Sequence, residues 1–251
     1  MTAAERWAEL QCGRGIPAAI LAAAPANPWT HDVADFAAPA VPADTPSRAA
    51  ALTLLGAGGT VLDVGCGGGD AAFAVAKRAT HVTGVDQQPD MLAAFAADAT
   101  ARGIAHRTVL GRWPEVAGEA GDADVVLSHH VLHNVVDLRS FVAALAAAAR
   151  RGVVVEMLAQ HPMAWLDPLW ARFHDLHRPP PATTDDAVAV LREMGIEPTV
   201  VRWERQPSLP RDSAWVTRRL CLSPERLPEV EDALVDLPPR SRAAATLTWR
   251  T

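Results

Sequence analysis

Val61-Leu62-Asp63-Val64-Gly65-Cys66-Gly67-Gly68-Gly69 decides how this chain folds. With Thr60, its first four residues form a short apolar, β-rich run that reads as a buried strand. The glycines that follow let the backbone turn sharply and let a ligand lie against it without Cβ clashes. Asp70 stands where it can cap a helix running to about Ala79. The next strand, His81 to Val85, is followed by Asp86, about 20 residues beyond the first glycine, where a carboxylate can grip a ribose diol.

The alternation continues outward from that unit. Pro89 suits the first turn of a helix that Gly103 closes. A third strand runs from Arg107 to Leu110 and a fourth from Asp124 to Ser128. Asp137 caps a long Ala-rich helix that ends at Arg150-Arg151-Gly152, and Val153 to Glu156 is the fifth strand. Continuous apolar strands alternating with helices predict a parallel sheet covered on both faces, a doubly wound α/β fold. Before the glycine loop, residues 1–25 read as one or two short helices. Pro25 to Pro46 reads as an irregular Pro- and Ala-rich arm, and Ser47 to Leu55 as a helix stopped by Gly56-Ala57-Gly58-Gly59. After the fifth strand, Thr184 is placed to cap a helix ending near Met194. Thr199 to Trp203 reads as a strand, helices are expected at about 211–220 and 224–236, and Ala244 to Trp249 is a last strand. With no repeat and no clean linker, residues 1–251 read as one domain. It divides into a helical arm (1–46), a ligand-binding core (47–157) and a final part of helices and strands (158–251).

Two ligand classes fit the glycine loop. A dinucleotide fold wants a third glycine where this chain has Asp70, and a negative side chain there would repel a pyrophosphate from the helix N-terminus. A phosphate-free ligand with a cationic amino-acid end suits Asp63, before the glycines, better. Asp63-x-Gly65-x-Gly67-x-Gly69, with Asp86 at the end of the next strand, resembles the donor-binding signature of class I S-adenosylmethionine-dependent methyltransferases. Asp124 to Ser128 resembles that family's fourth strand, and Arg151 to Val155 its fifth. The resemblance covers residues 48–157 well and the remainder only as a final helix and strand pair. It implies a Rossmann-like seven-stranded sheet, mostly parallel with an antiparallel last strand, carrying an N-terminal helical arm and helical lid insertions. It also implies S-adenosyl-L-methionine as cofactor. Asp86 would hold both ribose hydroxyls, Gly65, Cys66, Gly67 and Gly69 would line the methionine portion, and Gln87 would lie beside the adenosine. Many family members carry an acidic residue after the third strand for the adenine amino group. This chain has Gly111-Arg112-Trp113 instead, so Arg112 cannot accept that hydrogen bond. Trp113 either stacks on adenine or packs as an ordinary tryptophan before Pro114.

Ser128-His129-His130-Val131-Leu132-His133-Asn134 leaves the carboxyl end of the fourth strand, where open α/β sheets bind ligands. Ser128 and His129 are candidate donor contacts. His130 and His133 are candidate general bases, since an unperturbed imidazole titrates near pH 6.5. The alternative is a set of hydrogen-bonded structural histidines. His129 and His133 have i,i+4 spacing, but no carboxylate stands beside them in sequence, so no metal site is expected. Trp165, Leu166, Leu169, Trp170, Phe173, His174 and His177 fall at roughly helical spacing. They form either an acceptor wall and apolar lid or a packed amphipathic helix.

Composition narrows the function classes. Hydrophobic residues make up 49% of the 251 positions and charged residues 21%, enough apolar surface for a real core. A formal net charge of −6 disfavours nucleic acid as a partner. Cys12, Cys66 and Cys221 form no CxxC and fit a reducing, cytoplasmic setting. The start, Met1 to Trp7, lacks the pattern of a signal peptide, and no apolar run approaches the roughly 20 residues of a membrane span. The expected activity is methyl transfer to a small-molecule acceptor by direct displacement. The rivals are an RNA or protein methyltransferase, a non-catalytic donor-binding module and a nicotinamide oxidoreductase. Asp70 weighs against the last. No Asn/Asp-Pro-Pro-aromatic run follows the fourth strand, and Arg211, Arg218 and Arg219 read as a solvated helix face.

Overall fold

Seven strands form one sheet: β1 (Gly59–Val64), β2 (Ala79–Asp86), β3 (His106–Leu110), β4 (Ala123–His129), β5 (Ala149–Leu158), β6 (Thr199–Glu204) and β7 (Ala243–Trp249). Their order is β3-β2-β1-β4-β5-β7-β6. The first five pair in parallel, and β7 runs antiparallel between β5 and β6. This is the doubly wound, mostly parallel sheet with a reversed last strand that the sequence predicts. The chain is seen here as a computed structural model that describes residues 1–29, 38–206, 212–237 and 240–251. The predicted 25–46 arm is therefore covered only in part, and Arg211 lies outside the described residues.

The helices are α1 (Ala3–Cys12), α2 (Ala18–Ala23), α3 (Pro46–Leu55), α4 (Asp70–Ala74), α5 (Pro89–Ala101), α6 (Ala117–Ala120), α7 (Leu138–Ala148), α8 (Asp167–His174), α9 (Thr184–Glu193), α10 (Ser213–Arg219) and α11 (Leu227–Val235). Alternate residues of each central strand feed cores on opposite faces of the sheet. Leu62 and Val64 join Phe141, Leu145 and Leu191 on one face. Val61 joins Leu55, Phe73 and Phe95 on the other. A separate apolar cluster holds α8, α10 and α11 together around Leu169, Trp170, Val216 and Val230, with Ile20 and Leu21 of α2 packed against it. This third cluster is a helical cap. No helix among the described residues is long and apolar enough to cross a membrane.

Three local readings are corrected. Asp70 is the first helical residue of α4 rather than its cap. Gly69, at φ 96, takes the cap position, and α4 stops at Ala74. The helix after Asp137 ends at Ala148, and Ala149 to Gly152 already belong to β5. Arg151 faces Asp124 of the neighbouring strand at 3.1 Å, and its Nη1 donates to the Leu55 carbonyl at the end of α3. Arg151 thus serves another helix's C-terminus, an electrostatic match of the same kind at longer range. Thr183, not Thr184, caps α9, sharing a capping box with Asp186.

Candidate active site

The glycine loop is built by its own backbone. Gly65 and Cys66 donate to the Val85 carbonyl at 2.8 and 3.0 Å, tying the end of β1 to the end of β2. Gly65 has φ 74, and a Cβ there would overlap Val131 Cγ2, so the segment leaving β4 packs directly against the loop. Asp86 closes the arrangement. One carboxylate oxygen accepts from Gly67 N at 3.0 Å and the other from Gln88 N at 2.9 Å. Both oxygens keep a lone pair for a ligand, and their direction is fixed by backbone. Gln87, next along, is exposed.

Asp63 lies beneath this loop, 1% exposed, accepting from Ala72 N at 3.2 Å. Burial raises its pKa to about 7 against the lowering effect of that hydrogen bond, with Asp70 and Asp86 adding repulsion. Cys66 is buried, and desolvation holds it firmly as the thiol, so it offers backbone rather than thiolate. Ser128 is fully buried and its hydroxyl donates to Val64 O at 3.2 Å. Arg112 is exposed just past β3. Trp113 takes the packing alternative: it is 6% exposed within the core and its Nε1–H donates to Phe141 O at 3.3 Å.

At the mouth of the sheet, β4 and β5 end side by side, with His129 in register with Glu156. His130 Nε2 lies 3.0 Å from Glu156 Oε1, and His129 Nδ1 lies 3.9 Å from Oε2. His130 is held in the left-handed region at φ 60 by its N–H donating to Glu156 O at 2.7 Å. Such a conformation costs about 1–3 kcal/mol in a non-glycine residue and collects at functional sites. Burial would raise the Glu156 pKa, but hydrogen bonds from His130 and Ser47 and the nearby imidazoles bring it down to about 2. Because Nε2–H donates to a carboxylate, the lone pair of His130 sits on Nδ1, which is buried and unpartnered among the described residues. His129, in contrast, is driven neutral by burial, its pKa lowered to about 4.

No carboxylate stands beside these histidines in sequence, and the fold supplies Glu156 from a strand away. The signal was present indirectly, since His129 and Glu156 end adjacent strands of a doubly wound sheet. No group of metal-binding side chains occurs among the described residues. His133 stands apart from Glu156. It is 3% exposed, its Nε2–H donates to Leu158 O at 2.9 Å, and burial lowers its pKa to about 4.

The expected acceptor wall is the interior of the cap. Leu166, Leu169 and Trp170 are buried in it, and His174 contacts the Leu220 carbonyl at 2.6 Å. His177 is exposed beside Asp175, while Trp165 carries Arg240 over its ring at 4.2 Å. A groove of about 650 Å³ runs along α3 and the β6–β7 edge. None of its lining residues belongs to the glycine loop or to 128–134.

Residues 61–152 match a family profile described as a methyltransferase domain. That match spans the glycine loop, Asp86, the histidine segment and the start of β5. Over these residues the chain carries a methyltransferase domain. A ubiquinone biosynthesis O-methyltransferase of Cronobacter sakazakii is 34% identical over 131 residues, covering 51% of this chain and 54% of that protein. The chain spans about half the length of the curated relatives it matches. Among solved structures, the YcgJ protein of Bacillus subtilis superposes with a TM-score of 0.58 at 16% identity, over 82% of this chain and 97% of that one. Magnesium protoporphyrin IX methyltransferase of Synechocystis PCC 6803, described with bound SAH, gives 0.51 at 15%, over 77% and 74%. At such identities these two neighbours speak for the fold.

Proposed function

We propose that this protein transfers a methyl group from S-adenosylmethionine to a hydroxyl of a small-molecule acceptor by direct in-line displacement. The observation that carries the reading is the Glu156–His130 pair beside the glycine loop, with an unpartnered Nδ1 lone pair. Three features fit the donor. Gly65 to Gly69 form a backbone cradle whose one side chain, Cys66, is buried, and Asp86 is aimed by two backbone N–H groups. Asp63, with Asp70, offers negative charge to an ammonium in place of the third glycine a pyrophosphate needs. In this reading Asp86 holds the ribose hydroxyls, Gln87 lies beside the adenosine, and Gly65, Cys66, Gly67 and Gly69 line the methionine portion. His129 and Ser128 support the loop's edge. Trp113 and Arg112 take no part beyond shaping the end of β3.

When bound, the donor supplies a methyl group on a sulfonium, already a good leaving group. The protein's largest contribution is holding the acceptor oxygen in line, worth up to about 7–11 kcal/mol in well-oriented systems. His130 Nδ1 takes the hydroxyl proton as the oxygen attacks. Glu156 holds Nε2–H, fixes the tautomer and stabilises the imidazolium that forms. His133, bonded to Leu158 O, is not in this proton path. The ubiquinone-pathway names of the relatives support a small, oxygen-bearing acceptor, and a net charge of −6 weighs against nucleic acid. The test is incubation of the protein with methyl-labelled S-adenosylmethionine and a total cell extract. Label in the solvent-extractable fraction is expected. Label in RNA or protein would overturn the acceptor class, and no label despite measured donor binding would make this a non-catalytic module.

A further inference from the structure

Under the cap, among the described residues, one buried and one partly buried guanidinium gather around a single carboxylate. Arg14 is 6% exposed. Its Nη1 donates to Pro179 O at 2.6 Å and its Nη2 to both oxygens of Asp167 at 2.7 and 2.8 Å, while its Nε is buried without a hydrogen-bond partner among the described residues. Arg178, the residue before Pro179, lies 4.2 Å over the Trp170 ring, and its Nε is likewise buried and unpartnered. Asp167 is the carboxylate that acts on both guanidiniums. Among the described residues these two charges therefore share one counter-ion, and a guanidinium even partly withdrawn from water calls for an anion.

Two neutral imidazoles flank this surplus charge. His161 Nδ1 accepts from Met163 N at 3.1 Å, so its Nε2 carries the proton. His133 meets it edge to face, with ring centroids 5.6 Å apart. Since His133 Nε2–H is spent on Leu158 O, its Nδ1 is a buried, unpartnered acceptor. Burial, then the charges of His133, Arg14, Arg178 and Arg219, lowers the His161 pKa to about 3. The short segment 130–133 thus has the proposed base at one end and this cluster at the other. Three residues span at most about 10–11 Å, within reach of one small molecule.

Building on the methyltransferase reading, we propose that Arg178, Arg14, His133 and His161 form the acceptor's recognition site, and that the acceptor carries one carboxylate. Arg178 binds that carboxylate through its planar fork. Arg14, balanced by Asp167, supports it. His133 Nδ1 and His161 Nε2–H serve a hydroxyl or carbonyl nearby. Among the described residues, Arg14 and Arg178 set against Asp167 leave room for one further negative charge, which a carboxylate matches and a phosphate monoester near −2 at pH 7 overshoots.

The test is calorimetric titration of benzoate, benzamide and phenyl phosphate into the protein saturated with S-adenosylhomocysteine. Benzoate is expected to bind at least tenfold tighter than benzamide and tighter than phenyl phosphate. Arg178→Gln should abolish the benzoate preference, and Arg178→Lys should retain part of it, with S-adenosylhomocysteine affinity unchanged in both. Equal affinity for benzoate and benzamide, no benzoate binding, or an undiminished preference in Arg178→Gln overturns the site. Tighter binding of phenyl phosphate overturns the assignment to a carboxylate. The wild-type comparison stands even if a variant does not fold. Failure of S-adenosylhomocysteine itself to bind would refute the methyltransferase reading, whereas its binding without benzoate would refute this inference alone.

Discussion

The glycine loop and the helical cap are held together in opposite ways. The loop uses backbone and one carboxylate, and its partners are close in sequence: Asp86 reaches Gly67 across 19 positions. The cap and its surroundings use long side chains brought from far away. Arg14 meets Asp167 across 153 positions, and Trp7 donates to Val135 O at 2.7 Å across 128. The difference teaches where each kind of site can vary. A backbone cradle tolerates neighbouring sequence so long as glycine and one acid persist. A side-chain cluster changes with every residue that packs around it, which suits recognition of a particular acceptor.

Four outcomes would sharpen or break that contrast. The largest effect is expected where the two regions meet. His130→Ala should lower methyl transfer by about 10²–10⁴-fold, the range for a lost general base, with donor affinity unchanged. Glu156→Gln should show a smaller loss and an altered pH–rate profile, and single-turnover assays at fixed donor would separate the two. An undiminished rate in His130→Ala would remove the base from the site.

Trp7→Ala should cost about 3–5 kcal/mol of stability, as large aromatic truncations in cores do. Trp7 is fully buried between α1 and the segment that leaves β4. Thermal unfolding would read this, and S-adenosylhomocysteine affinity measured below the new Tm should remain, since the loop does not depend on the arm. Loss of both together would show that the two regions are one cooperative site.

Asp86→Ala should weaken S-adenosylhomocysteine binding at least tenfold, because each hydrogen bond to a charged group is worth about 1.5–3 kcal/mol. Unchanged calorimetric affinity in a folded variant would unseat Asp86.

The smallest effect is on pH dependence. The Asp63 pKa is raised to about 7 in the fold, so the folded state binds a proton that the unfolded chain has released above pH 3.8. Stability from this group is therefore present at low pH and declines as pH rises from about 4 to 7. A bound ammonium favours the carboxylate, so donor affinity should rise between about pH 6 and 8 with release of a proton. Asp63→Asn should flatten that rise in calorimetry across buffers of different ionisation enthalpy.

Much of the donor half was legible because its signals are local. Val61 to Gly69 and Asp86 specify strand, turn and acid by residue type and spacing, and the observed strands widen the predicted ones by only a few residues. The misreadings came where a distant partner outcompeted a local rule. Arg151 looks like the basic end of its own helix, but it lies in β5 and serves α3. Trp113 was open to stacking on a ligand until the core and the Phe141 carbonyl claimed it. The aromatic and histidine run from Trp165 to His177 has the spacing of a wall, but spacing does not say which side faces a cavity, and most of its apolar residues fill the cap.

The sequence by itself determined the doubly wound sheet, the glycine cradle and the acid that faces it, because backbone conformation and short-range patterning are set by neighbours along the chain. Only the tertiary structure decided that Glu156 backs His130, that His133 turns away from it, and that Arg14, Arg178 and His161 converge beneath the cap. Those side chains lie on separate elements, and their charges and lone pairs acquire partners, or are left without them, only when packing removes water and fixes the distances between them.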